Sequence, residues 1–109
     1  MVISFMVKEA REQLQTKGFV YTLRPQYRNT GINWYNHFRG DTKKGDVMIE
    51  FIGYYGYTEL LRGFTDRTPD LEPFVKDSGF DTLEEWLKKA KKSRYLFKVS
   101  EYFGGPIGL

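Results

Sequence analysis

Three separate stretches of this chain alternate their side chains with the two-residue period of a β-strand, and that spacing limits its fold more than any other feature. Residues 19–24, Phe-Val-Tyr-Thr-Leu-Arg, are β-branched and aromatic and stop at Pro25. A strand there places Val20, Thr22 and Arg24 on one face and Phe19, Tyr21 and Leu23 on the other. Residues 47–52 follow the turn Lys43-Lys44-Gly45-Asp46 and set Val47, Ile49 and Phe51 against Met48, Glu50 and Ile52. Residues 95–101 set Tyr95, Phe97 and Val99 against Leu96, Lys98 and Ser100.

Helical spacing occupies less of the chain. Val7, Ala10 and Leu14 predict a helix from Val7 to Thr16, and Gly18 suits the position just past its end, where positive φ is easiest. The strongest pattern runs from Thr82 to Lys92. Asp81-Thr82-Leu83-Glu84-Glu85 supplies a capping box, and Leu83, Trp86, Leu87 and Ala90 form the buried stripe. Thr68-Pro69 reads as an N-cap and first helical residue, Thr58 to Gly63 as one helical turn, and residues 2–5 as a short strand. Few helices among several separated strands predict an α+β fold, a small β-barrel of about five to six strands with two main helices packed beside it. At 109 residues, with no repeat or linker, residues 1–109 make one domain.

Composition narrows the chemistry. Without cysteine there is no disulfide, thiol nucleophile or Cys-based zinc site, and His37 alone cannot make a multi-imidazole centre, so no metal is expected. No P-loop, dinucleotide fingerprint, metalloprotease helix or serine elbow is present, so no cofactor is expected either. No apolar run reaches the roughly 18–20 residues of a membrane span, and the N-terminus has no signal-peptide pattern. The expected location is therefore cytoplasmic. A net charge of +3 permits a polyanionic partner without requiring one.

The outlier is aromatic content, 17%, from nine Phe, eight Tyr and two Trp. Aromatic and basic residues interleave between Pro25 and Asp46: Tyr27, Arg28, Trp34, Tyr35, His37, Phe38, Arg39, Lys43 and Lys44. Such interleaving is what a base-stacking, phosphate-contacting surface requires. It reads equally as an overlooked strand with Trp34, Tyr35 and Phe38 in the core. Directly before it, Thr22 and Arg24 share a strand face. The arginine can clamp a phosphate or carbonyl, or it can pair with a carboxylate such as Glu50. Lys88, Lys89, Lys91 and Lys92 with Arg94 make the densest positive patch, either a phosphate track or an ordinary solvated helix face.

In this order the segments resemble the ASCH domain family, a branch of the PUA-like superfamily. Lys17-Gly18 followed by Tyr21-Thr22-Leu23-Arg24 is similar to the family's Gly-Lys-Lys-Thr-x-Thr-x-Arg segment. Gly45-Asp46-Val47 resembles its Gly-Asp lead into a barrel strand, and Ser78-Gly79-Phe80 before Leu83-Glu84-Glu85 its Glu-Gly-Phe-x-Ser-x-Glu-Glu stretch. The aromatic strand from Tyr95 to Val99 closes the chain. The resemblance implies a barrel with a cleft beside the Thr-x-Arg strand and binding of RNA or nucleotides. Arg24, Thr22, Tyr27, Arg28, Trp34, Tyr35, Lys43 and Lys44 are then the candidate ligand-binding residues. A bacterial subgroup hydrolyses an acylated cytidine with a lysine, a threonine and a glutamate. For an amidohydrolase of that kind acting on a modified nucleoside, Thr22 would be the nucleophile and Lys17 its activator. The subgroup's lysine position holds Phe19 here, so Lys17 would serve only through a bulge. A protein-interaction domain is a third reading.

Overall fold

The computed structural model describes residues 2–60 and 63–103. The first strand, β1 (Val2–Ser4), leads to α1 (Lys8–Lys17), which ends where Gly18 takes φ +81° and its N–H donates to the Leu14 carbonyl at 2.9 Å. Strand β2 is Phe19–Arg24 and β3 is Gly31–Asn36. Strand β4 (Gly45–Tyr54) precedes a two-stranded ribbon of β5 (Tyr57–Leu60) and β6 (Gly63–Asp66). A 3-10 helix, Thr68–Asp77, starts with Pro69 in its first turn. Helix α2 (Leu83–Ala90) is capped by Thr82, whose Oγ1 accepts from the Glu85 N–H at 3.1 Å, and β7 (Tyr95–Glu101) follows.

Three expectations need correcting. Thr58 to Gly63 is not a helical turn: the ribbon pairs Thr58 with Thr65 and Leu60 with Gly63, while Leu61 and Arg62 lie outside the described residues. The helix expected to reach Lys92 stops at Ala90, because Lys91 turns to φ +55°. The aperiodic stretch from Pro25 to Asp46 contains β3. Its period was hidden because Asn33 and Asn36 are buried, where a strand pattern calls for apolar side chains. Hydrogen bonds offset their desolvation: Asn33 Nδ2 donates to the Gly31 carbonyl and Asn36 Nδ2 to the Asp41 carbonyl, both at 3.2 Å.

The main sheet has the order β1-β3-β4-β7-β2, parallel between β1 and β3 and antiparallel elsewhere. It is an α+β arrangement in which the sheet curls into a half-barrel. All five strands feed one core of Ile3, Val20, Tyr35, Val47, Ile49, Phe97 and Val99, closed by Phe5 and by Ala10 and Leu14 of α1. Leu23 and Leu96 point the other way, into a second core with Leu71, Val75, Phe80 and Trp86. Both faces of β2 are therefore covered, which positions Thr22 and Arg24 between two cores. Gly79, at φ +93°, lets the turn before α2 lie against α1, where a Cβ would meet the Glu9 carbonyl.

One irregularity re-aims side chains. Opposite β7, the register of β4 slips between Phe51 and Gly53, leaving Ile52 as an extra residue. Phe51 pairs with Phe97 and Tyr54 with Tyr95, so the bulge puts Phe51 and Tyr54 on the same, concave face. Phe51, which shares its face with the buried Val47 and Ile49, is 39% exposed there.

Candidate functional site

The curled sheet brings its two edges, β1 and β2, close without a hydrogen-bonded ladder between them. Arginines span the seam. Arg24 Nη1 donates to the Ser4 carbonyl at 2.9 Å, and Arg28 Nη2 donates to the Val2 carbonyl. Carbonyls two residues apart point to the same side of a strand, so both arginines address the free edge of β1. Arg24 Nε also donates to Thr22 Oγ1 at 3.2 Å, and its guanidinium carbon lies 4.9 Å from the centroid of the Phe5 ring.

Neither arginine has an acidic partner among the described residues. The ion pairs found there are Lys8–Glu12, Lys43–Asp46, Lys44–Asp41 and Arg67–Asp70. Glu50, the carboxylate named as an alternative partner of Arg24, is exposed on the opposite face of β4. Arg24 as a residue is half-buried, but its guanidinium lies deep. Burial, with the charge of Arg28 added, pulls it from the ordinary guanidinium range down to about 9. It remains a cation at neutral pH. Burial lowers Arg28 as well, and its Nε is buried without a hydrogen-bond partner among the described residues.

Beside this seam lies a cleft of about 120 Å³. The seam supplies Ser4, Thr22 and Arg24; the 3-10-to-α2 turn and α2 supply Phe80, Trp86 and Lys89. A cavity of roughly 150 Å³ admits benzene, so this cleft has room for no more than one ring. Lys89 joins the basic helix to the same cleft as Arg24. The helix also borders a wider groove of about 610 Å³, where Lys88, Lys89 and Lys91 face Glu9 and Glu85. Among the described residues no three His, Cys, Asp or Glu side chains converge as a metal site would require.

The sequence-predicted residues separate into two groups. Thr22, Arg24 and Arg28 meet at the seam, and Tyr27 lies over the concave face with its ring 5.0 Å from that of Phe51. The rest do not join them. Tyr35 is in the core, edge-on to Phe5 at 6.0 Å. Trp34 is half-buried on the outward side of β3. Lys43 and Lys44 lie in the β3–β4 connection, neutralised by Asp46 at 2.7 Å and Asp41 at 3.6 Å. Lys17 is exposed at the end of α1 and does not reach Thr22, since Phe19 to Thr22 alone spans about 10 Å of strand. The lysine and threonine of the hydrolase reading are thus not assembled, and the Thr22 hydroxyl faces a cation rather than a base.

Sequence reading missed Ser4, Phe5, Trp86 and Lys89, which come from segments far from β2. Lys89 carried one available signal, its place in the basic run of α2. No helix among the described residues is long and apolar enough to cross a membrane. Protein-family models, curated proteins and solved structures yield no match to this chain.

Proposed function

We propose that this chain is an RNA- or nucleotide-binding module whose ligand enters the cleft between the β1–β2 seam and α2. The observation that carries the reading is Arg24, an enclosed cation without an acidic partner among the described residues, lining a ring-sized opening. Holding a charge there costs free energy, and a bound anion would recover it. Arg24 would contact a phosphate or a base edge, Thr22 would add a hydrogen bond, and Lys89 would meet charge from the opposite wall. Trp86, a buried member of the second core, borders the same opening. The helices lying against the β2–β7 side and the cleft beside Thr22 and Arg24 support an ASCH-like, PUA-type barrel, in line with the motif resemblance.

The test uses Trp86 as its own reporter. In a Trp34→Phe background, titration with ribonucleoside monophosphates or a short single-stranded RNA should quench the remaining tryptophan. RNA affinity should fall by roughly 0.7 log units per contacted phosphate for each decade of salt. Arg24→Met should abolish the quenching. Absence of quenching at low salt with every probe would overturn the proposal.

A further inference from the structure

The concave face holds a row of partly exposed aromatic rings that the cleft does not use. Tyr27 is 57% exposed, and Phe51 and Tyr54 are 39% exposed each. Their rings form a continuous series: Tyr27 to Phe51 at 5.0 Å, Phe51 to Tyr95 at 6.3 Å, and Tyr95 to Tyr54 at 4.8 Å. The series depends on the bulge at Ile52; a regular β4 would send Tyr54 to the other face. Gly56 reinforces it, because a Cβ there would meet the Tyr54 hydroxyl and displace the ring.

Charge at both ends of the row is positive. At one end, Arg28 follows Tyr27, and Arg24 stands in register with Tyr95 inside the row; neither has an acidic partner among the described residues. At the other, Tyr54 opens into a groove of about 340 Å³ where Lys91, Lys92 and Arg94 outnumber Asp66. Rings between two cationic ends fit a chain that alternates planar groups with anions, and a lone nucleotide occupying the cleft would leave the row unused.

We infer that the ligand is an extended single-stranded RNA, one base in the cleft and further bases stacked on Tyr27, Phe51 and Tyr54. This rests on the nucleotide-binding reading and extends it from a single site to a track. Base–aromatic stacking tolerates any base, so affinity should depend on length more than on sequence.

The experiment compares uridine monophosphate with oligouridylates of increasing length, using wild type, Tyr54→Ala and a Phe51→Ala/Tyr54→Ala pair checked for folding by circular dichroism. Wild type should bind an oligomer about 10- to 100-fold more tightly than the monophosphate. Both ring variants should lose much of that gain while keeping monophosphate affinity; Tyr54→Ala alone keeps the test valid if the pair does not fold. Equal affinity for monomer and oligomer, or a gain that survives in Tyr54→Ala, overturns the inference and leaves the cleft reading intact. Oligomer binding that depends on Tyr54 but not on Arg24 upholds the ring track and removes the cleft. Binding of neither probe defeats both. Ring-dependent dimerisation in light scattering, without RNA binding, assigns the face to a second copy and also overturns the inference.

Discussion

Arg24→Met separates a cation held for a ligand from a strut that holds the seam together. Burial lowers the guanidinium from its ordinary value to about 9, which at about 1.4 kcal/mol per pH unit is a folding penalty of about 5 kcal/mol. That figure is a ceiling, because the side of the group lining the cleft keeps water. Three contacts oppose it. The charged hydrogen bond to the Ser4 carbonyl is worth about 1.5–3 kcal/mol, and the bond to Thr22 contributes less. The cation over the Phe5 ring adds up to about 2 kcal/mol. These gains and the penalty nearly cancel. The freed Ser4 carbonyl also lines the cleft, where water can reach it. Arg24→Met should therefore lie within about 2 kcal/mol of wild type in urea unfolding, with unchanged m-value. Breaking a buried ion pair would instead cost about 3–5 kcal/mol. The pH dependence has a definite sign. A cation with its folded pKa below its unfolded one destabilises fully below about pH 9, and the penalty fades as pH rises further towards the ordinary guanidinium range. The difference between wild type and variant should be flat near neutrality and shift in favour of wild type above about pH 9. A loss of more than about 3 kcal/mol at neutral pH would show that Arg24 is a strut and refute the argument.

Two further changes probe the scaffold. Gly79→Ala should cost about 1–3 kcal/mol from the positive φ alone, before its contact with the Glu9 carbonyl, and thermal unfolding should shift by about 4–8 °C per kcal/mol; an unchanged midpoint would mean the turn adapts. Burial raises the Asp41 carboxyl, but hydrogen bonds from the His37 and Thr42 N–H groups and the charge of Lys44 outweigh it and hold the group below its ordinary 3.8, so its stabilisation is present above that pH and lost as pH falls further. Acid unfolding should show wild type more stable than Asp41→Asn near neutrality, with the gap closing below pH 3.8; a constant gap would contradict this assignment.

Elements whose side chains face one environment per side were legible. Phe19–Arg24 and Tyr95–Glu101 alternate because each is bounded by turn residues and lies against a core, and α2 declares itself through the Thr82 cap and the Trp86 stripe. Strand β3 was not legible, because its buried Asn33 and Asn36 are satisfied by backbone carbonyls that only the folded chain supplies. The candidate site divides the same way. Thr22, Arg24, Tyr27 and Arg28 lie within seven residues and could be picked out as a group. Trp34, Tyr35, Lys43 and Lys44 looked equivalent in sequence, yet the alternation of β3 sends Tyr35 into the core, and the turn between β3 and β4 gives each lysine an aspartate three residues away.

The sequence by itself determined the mixed α+β class, the three longest-patterned elements and the pairing of Thr22 with Arg24 on one strand face. These follow from local periodicity, capping and turn chemistry, which act over a few residues. Tertiary structure decided that Arg24 has no acidic partner among the described residues, that it donates across the seam to β1, and that Lys89 and Trp86 share its cleft. It also decided that one extra residue at Ile52 turns Tyr54 onto the concave face beside Phe51. Each depends on the approach of segments distant in the chain, and a contact between distant residues leaves no period in either of them.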